Sequence, residues 1–74
     1  MPLKDRMEAI IVEMVENGIR LDLAQRDFEK KYLKIALDIN QGSQLATARA
    51  LGIHRNTLNN KLAKHRLRNR RNGS

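Results

Sequence analysis

A chain of 74 residues holds one small domain at most, and a core of that size is marginal by itself. It has no cysteine, and its two histidines, His54 and His65, stand eleven positions apart. Disulfides and a thiolate metal site are therefore excluded, no metal or cofactor is expected, and pairing of two copies is the remaining route to a larger core. The net charge of +7 is unevenly placed. All eight acids lie in residues 1–38 beside seven bases, whereas residues 39–74 hold eight bases and no acid. A near-neutral half followed by a purely basic half predicts a polyanion-binding unit on a neutral platform.

The pattern predicts four helices and no strand, an all-α fold. Leu3, Met7, Ile10, Ile11, Met14 and Val15 repeat at the spacing of an amphipathic helix, and Asn17-Gly18 supplies its stop. A second helix is predicted to start near Asp22, where Asp22 and Gln25 match a capping box. Its apolar face runs through Leu21, Leu23, Ala24, Phe28, Tyr32, Ile35, Ala36 and Ile39, widened by Leu33 and Leu37. A stripe that wide can pack on two partners at once. Gly42 closes this helix.

Ser43 is placed as the N-cap of a short third helix from Gln44 to Leu51. Gly52 breaks it, and a fourth helix follows from about His54 to His65, with Leu58, Leu62 and His65 on its inner side. The run from Arg66 to Ser74 is basic and aperiodic, which predicts disorder when free. The chain thus divides into dimerisation helices (1–42), a helix-turn-helix unit (43–66) and a basic tail (67–74). The dimerisation residues expected are Leu3, Met7, Ile10, Ile11, Met14, Val15, Leu23 and Phe28.

Residues 44–63 meet the demands of a helix-turn-helix. Ala48 is small where two helices cross. Gly52 stands where the turn needs a positive φ, Ile53 is the apolar turn residue, and Leu51, Leu58 and Leu62 fill the core side. With Leu58 and Leu62 inward, a 3.6-residue period turns Asn56, Thr57, Asn60 and Lys64 outward. Amide, hydroxyl and ammonium groups of this kind suit base edges and phosphates in a major groove. Arg55 lies at the helix start, where exposed backbone N–H groups attract phosphate. His54 reads equally as a base or phosphate contact and as a weak cap with an exposed ring; His65 reads as a packing residue. The residues expected at DNA are Ser43, Gln44, His54, Arg55, Asn56, Thr57, Asn59, Asn60, Lys61 and Lys64.

Phe28-Glu-Lys-Lys-Tyr-Leu-Lys-Ile-Ala-Leu37, Gly42, Ala50-Leu-Gly-Ile-His-Arg-Asn-Thr-Leu58 and Lys61-Leu62 together resemble the factor for inversion stimulation (Fis) family. The same fold forms the DNA-binding end of nitrogen-regulator-type sigma-54 activators. The resemblance covers roughly residues 19–66. It implies an intertwined homodimer made by the N-terminal helix pair, DNA contacts at Arg55, Thr57 and Lys61, and a bent duplex, because the family's paired helices sit closer than a straight groove repeat. Three positions depart from the family pattern: Ser43 stands where Asn is frequent, Leu45 where a polar phosphate contact is frequent, and Thr47 where Ala is frequent. Almost nothing precedes Leu3, so invertase activation through an N-terminal arm is not carried over.

The function expected is therefore a non-enzymatic, homodimeric protein that binds and bends double-stranded DNA as a transcriptional regulator or nucleoid-associated protein. Alternatives are the DNA-binding end of a larger activator, or a protein-interaction module with a basic face. RNA binding is disfavoured, since Phe28 and Tyr32 are the only aromatics and both belong to the apolar stripe, leaving no stacking platform. No paired carboxylates accompany the basic half and no Gly-rich phosphate loop occurs, so neither a catalytic site nor a small-molecule substrate is expected. Met1-Pro2-Leu3-Lys4-Asp5 is no signal peptide, and no apolar run nears the ~18 residues that span a bilayer; a cytoplasmic protein without a membrane partner is expected.

Overall fold

The computed structural model describes residues 2–67. Its elements are α1 (Leu3–Glu16), α2 (Leu21–Ile39), α3 (Gln44–Leu51) and α4 (Arg55–Lys64), with no strand among the described residues. The all-helical reading of the sequence holds, and the last two helices form a helix-turn-helix.

The four helices end in one kind of turn. In each, the amide two residues past the end of the helix, or past its cap, bonds a carbonyl five residues back: Ile19 to Met14, Gly42 to Leu37, Ile53 to Ala48 and Leu67 to Leu62. That closure needs a left-handed residue and satisfies carbonyls a helix end would leave orphaned. Gly18 (φ 71°) and Gly52 (φ 70°) supply it after α1 and α3, as their sequence positions suggest. After α2 and α4 the left-handed residues are Gln41 (φ 56°) and Arg66 (φ 57°). Gly42 (φ 81°) comes one residue later than the turn's critical position.

Two sequence expectations are corrected here. The Asp22–Gln25 capping box does not form: Arg20 is the N-cap of α2 and makes no side-chain cap bond. Asp22 already lies inside the first turn, where its carboxylate accepts from the Arg20 guanidinium at 2.9 Å and from the Leu23 amide at 2.9 Å. The basic tail, expected to be disordered from Arg66 onward, begins with two ordered residues. Leu67 closes the turn after α4 and packs against the core, because an apolar side chain at that position of the turn lands on the last inward residues of the helix. Residues 68–74 lie outside the described residues.

The core is small. Leu33 and Leu37 from α2, Ala48 from α3, and Leu58 and Leu62 from α4 are buried, with Leu51, Ile53 and Leu67 packed at its margin. Thr47 is fully buried too, its hydroxyl donating to the Ser43 carbonyl at 2.7 Å. The two leucines that only widened the α2 stripe in sequence are the ones that dock the helix-turn-helix. Phe28, Tyr32, Ile35 and Ile39, on the rest of that stripe, stay more than half exposed.

Helix α1 buries no residue. Leu3 is 72% exposed and Val15 69%, and Met7, Ile10 and Ile11 are also open to solvent. The radius of gyration is 14.2 Å, against about 11 Å for a compact domain of this length.

Candidate nucleic-acid interface

Helix α4 is positioned from both sides. At its start, the Gly52–Ile53 turn reverses the chain after α3, and His54 takes an extended conformation (φ −72°, ψ 147°) as N-cap. A Cβ on Gly52 would meet nothing within 4 Å, so the positive φ, not space, selects glycine there. Ser43 fixes the start of α3 by accepting from the Ala46 amide at 3.1 Å, as an N-cap serine should. Along α4, Leu58 and Leu62 are all but fully buried and set the roll of the helix.

That roll turns Arg55, Asn56, Thr57, Asn59, Asn60 and Lys64 to solvent. Among the described residues, Arg55, Asn56, Thr57, Asn59 and Asn60 have no side-chain hydrogen bond or ion pair, so their donors and acceptors remain open to a ligand. His54 is exposed and its ring caps nothing. Arg49, near the end of α3, is an unpaired exposed cation as well. Ser43 and Gln44 lie at the start of α3, Ser43 with its hydroxyl already used as a cap and Gln44 half-buried.

Lys61 has a different setting. Its Nζ donates to Glu29 Oε2 of α2 at 2.6 Å, and the pair is partly shielded, with side chains 36% and 30% exposed. The other carboxylate oxygen, Oε1, lies 2.7 Å from Nε2 of His65, whose side chain is buried. Lys64 Nζ stands 3.9 Å from the same oxygen. The hydrogen bond from His65 and then that from Lys61 hold the Glu29 carboxyl at about 2, well below its ordinary 4.5, against the opposing effect of burial. Glu29 is ionised at neutral pH, and an ionised carboxylate only accepts; His65 therefore donates through Nε2. Neither Glu29 nor this role of His65 was legible as a site feature, for the partners are 32 and 36 residues apart in sequence.

The charge asymmetry of the sequence survives folding. Arg20–Asp22, Lys31–Asp27 and Lys34–Asp38 pair within the first half. Among the described residues, Glu29 is the one acid that reaches cations of α4. Among the described residues no group of three or more acidic, histidine or cysteine side chains is placed to hold a metal ion, and no helix is long and apolar enough to cross a membrane.

A short helix, a glycine turn and a second helix with an outward face of amides, a hydroxyl and cations define the DNA-binding helix-turn-helix class. The family model described as bacterial regulatory protein, Fis family, matches residues 24–65, more than half of the chain. The chain belongs to the Fis family of bacterial regulatory proteins. No curated protein and no solved structure matches it.

Proposed function

We propose that two copies pair through α1 and the outer face of α2, and that the dimer sets its two α4 helices into successive major grooves of duplex DNA. The protein would act in the cytoplasm as a transcriptional regulator or nucleoid-associated protein, and would bend the duplex, as the family resemblance implies. The observation that carries the DNA half of this proposal is the outward face of α4, six exposed polar or cationic residues with Leu58 and Leu62 buried behind them. Arg55 and Lys64 would grip phosphates, while Asn56 and Asn60 reach base edges. His54 and Thr57 flank the entry of the helix, and Ser43 and Gln44 approach the backbone at the start of α3.

Pairing is supported by what α1 and α2 leave uncovered. An amphipathic helix with no buried residue has no reason to hold its pattern in a monomer. The exposed stripe continues on α2 through Phe28 and Tyr32, whose ring centroids lie 5.6 Å apart with the planes tilted by 45°. Phe28 and Tyr32 also border an open groove of about 360 Å3, shared with Glu29, Lys61 and the margin of the core. Exposed apolar surface on this scale marks a contact surface.

The experiment is a mobility-shift titration on random and genomic duplexes, with stoichiometry from light scattering. Two chains per shifted duplex, and slowed migration of a duplex bound at its centre, are the expected results. One chain per duplex would contradict pairing, and no shift of any duplex would contradict DNA binding.

A further inference from the structure

We propose that Glu29 is a positioning residue for DNA recognition: it clamps the far half of α4 to α2 and withholds Lys61 from the phosphates. The proposal rests on the DNA-binding reading above. Lys61 matches a position where the family resemblance implies a DNA contact, yet its ammonium is already engaged.

Three observations carry the inference. First, both oxygens of the carboxylate are used, Oε2 by Lys61 at 2.6 Å and Oε1 by His65 at 2.7 Å. His65 is buried, so it anchors the carboxylate from the core side, and Glu29 cannot follow Lys61 outward without giving up a buried partner. Second, the pair is more shielded than the Arg20–Asp22, Lys31–Asp27 and Lys34–Asp38 pairs. Lys31–Asp27 is 68% and 56% exposed against 36% and 30% for Lys61–Glu29. Exposed pairs are screened and contribute little, whereas a partly desolvated, hydrogen-bonded pair is stronger and competes better with a phosphate. Third, Lys61 lies on the α4 flank toward α2, on the side of Leu58 and Leu62 rather than on the outward face with Asn56 and Asn60.

The clamp ties the reading helix to the helix that carries the exposed dimer stripe. The tilt of α4 against α2 would set how two such helices are spaced on a duplex. A carboxylate kept on that flank also lowers the local positive potential, so each α4 grips fewer phosphates than its lysine count suggests.

The test is duplex binding over a salt series by the wild type, Glu29→Gln, Lys61→Gln and the double variant, with circular dichroism to confirm folding. Each phosphate contact adds about 0.9 to the slope of log K against log salt. Glu29→Gln should steepen the slope by about 0.9 per α4 on the duplex, about 1.8 for a dimer. Lys61→Gln should leave the slope where it was, and the double variant should return to the wild-type slope. Loss of a merely structural contact would weaken binding without steepening the slope. The proposal is overturned if Lys61→Gln alone flattens the plot by that amount, for Lys61 would then already sit on phosphate, or if a folded Glu29→Gln shows no steepening. Should Glu29→Gln fail to fold, the Lys61→Gln slope alone decides. A flat plot for the wild type overturns DNA binding itself and this proposal with it, and is distinguishable because it needs no variant.

Discussion

The two halves of this chain solve opposite problems. Residues 1–38 mix acids and bases, pair some of them locally, and present apolar surface that the chain does not cover: Leu3, Ile10, Val15, Leu21, Phe28 and Ile35 are all more than half exposed. Residues 43–67 have a closed core of a few side chains and carry unpaired polar and basic groups on the outside. The first half lacks a partner for its apolar face, the second for its polar face. A core of this size absorbs neither, and the proposed division gives the first half to pairing and the second to DNA contact. Helix α2 belongs to both halves: Leu33 and Leu37 hold the helix-turn-helix, while Phe28, Tyr32 and Ile39 stay more than half exposed.

The division breaks most completely at α1. Ile11→Asp places a charge in the middle of the proposed dimer face, and the expected outcome is loss of the folded dimer, seen as a shift in mass or aggregation by light scattering and lost helicity by circular dichroism. A soluble, fully helical monomer would show that the N-terminal apolar face is not a pairing surface. In the second half, Leu62→Ala removes one of five core side chains. It should cost about 2–5 kcal/mol, read from denaturant midpoints, which for so small a core is a large part of the whole.

A finer split is expected within the outward face of α4. Asn60→Ala should cost about 1–3 kcal/mol on a preferred duplex and little on a scrambled one, as loss of a base contact does. Arg55→Ala should weaken both duplexes alike and flatten the salt slope by about 0.9 per subunit. Equal losses on both duplexes for Asn60→Ala would assign it to positioning, and an unchanged Arg55→Ala would mean that the helix start does not face the backbone. Gly52→Ala forces a Cβ into a left-handed turn residue and should cost about 1–2 kcal/mol, with DNA affinity falling only as the folded fraction falls.

The smallest effect is in acid. The Glu29 carboxyl is lowered to about 2 in the folded chain, so its contribution is present above the ordinary value near 4.5. It fades as pH falls from there through about 2, because the unfolded chain takes up the proton first. Melting temperatures between about pH 5 and pH 2 should fall less steeply in Glu29→Gln than in the wild type. Identical slopes would place the acid sensitivity elsewhere.

What could be read from sequence follows the range of the interaction involved. Ser43 as a cap, Gly18 and Gly52 as left-handed turns, and Leu58 and Leu62 as inward residues are decided within one or two helical turns, and each stands where its pattern put it. The capping box at Asp22 failed at the same range, since α2 starts at Leu21 with Arg20 as its N-cap and Asp22 lies inside the first turn. The stripe on α2 was legible but its two sides were not, because leucine on one side and aromatics on the other are equally apolar until the partner helices are placed. Gln41 and Arg66 in left-handed turns carry no residue signal, since propensity there favours glycine. The Glu29–Lys61–His65 cluster is invisible for a different reason: it joins α2 to α4 across more than 30 residues, and helical periodicity says nothing about which polar flanks meet.

Because the acid-free half is the chain's clearest charge feature, the most direct measurement is wild-type affinity for one duplex across a salt series. A dimer that neutralises ~6–10 phosphates should give a straight log–log plot and lose on the order of 10³–10⁵ in affinity between about 50 and 200 mM salt. A nearly flat plot over that range would mean that the basic half does not meet the phosphate backbone, and would contradict the assignment of the second half to DNA.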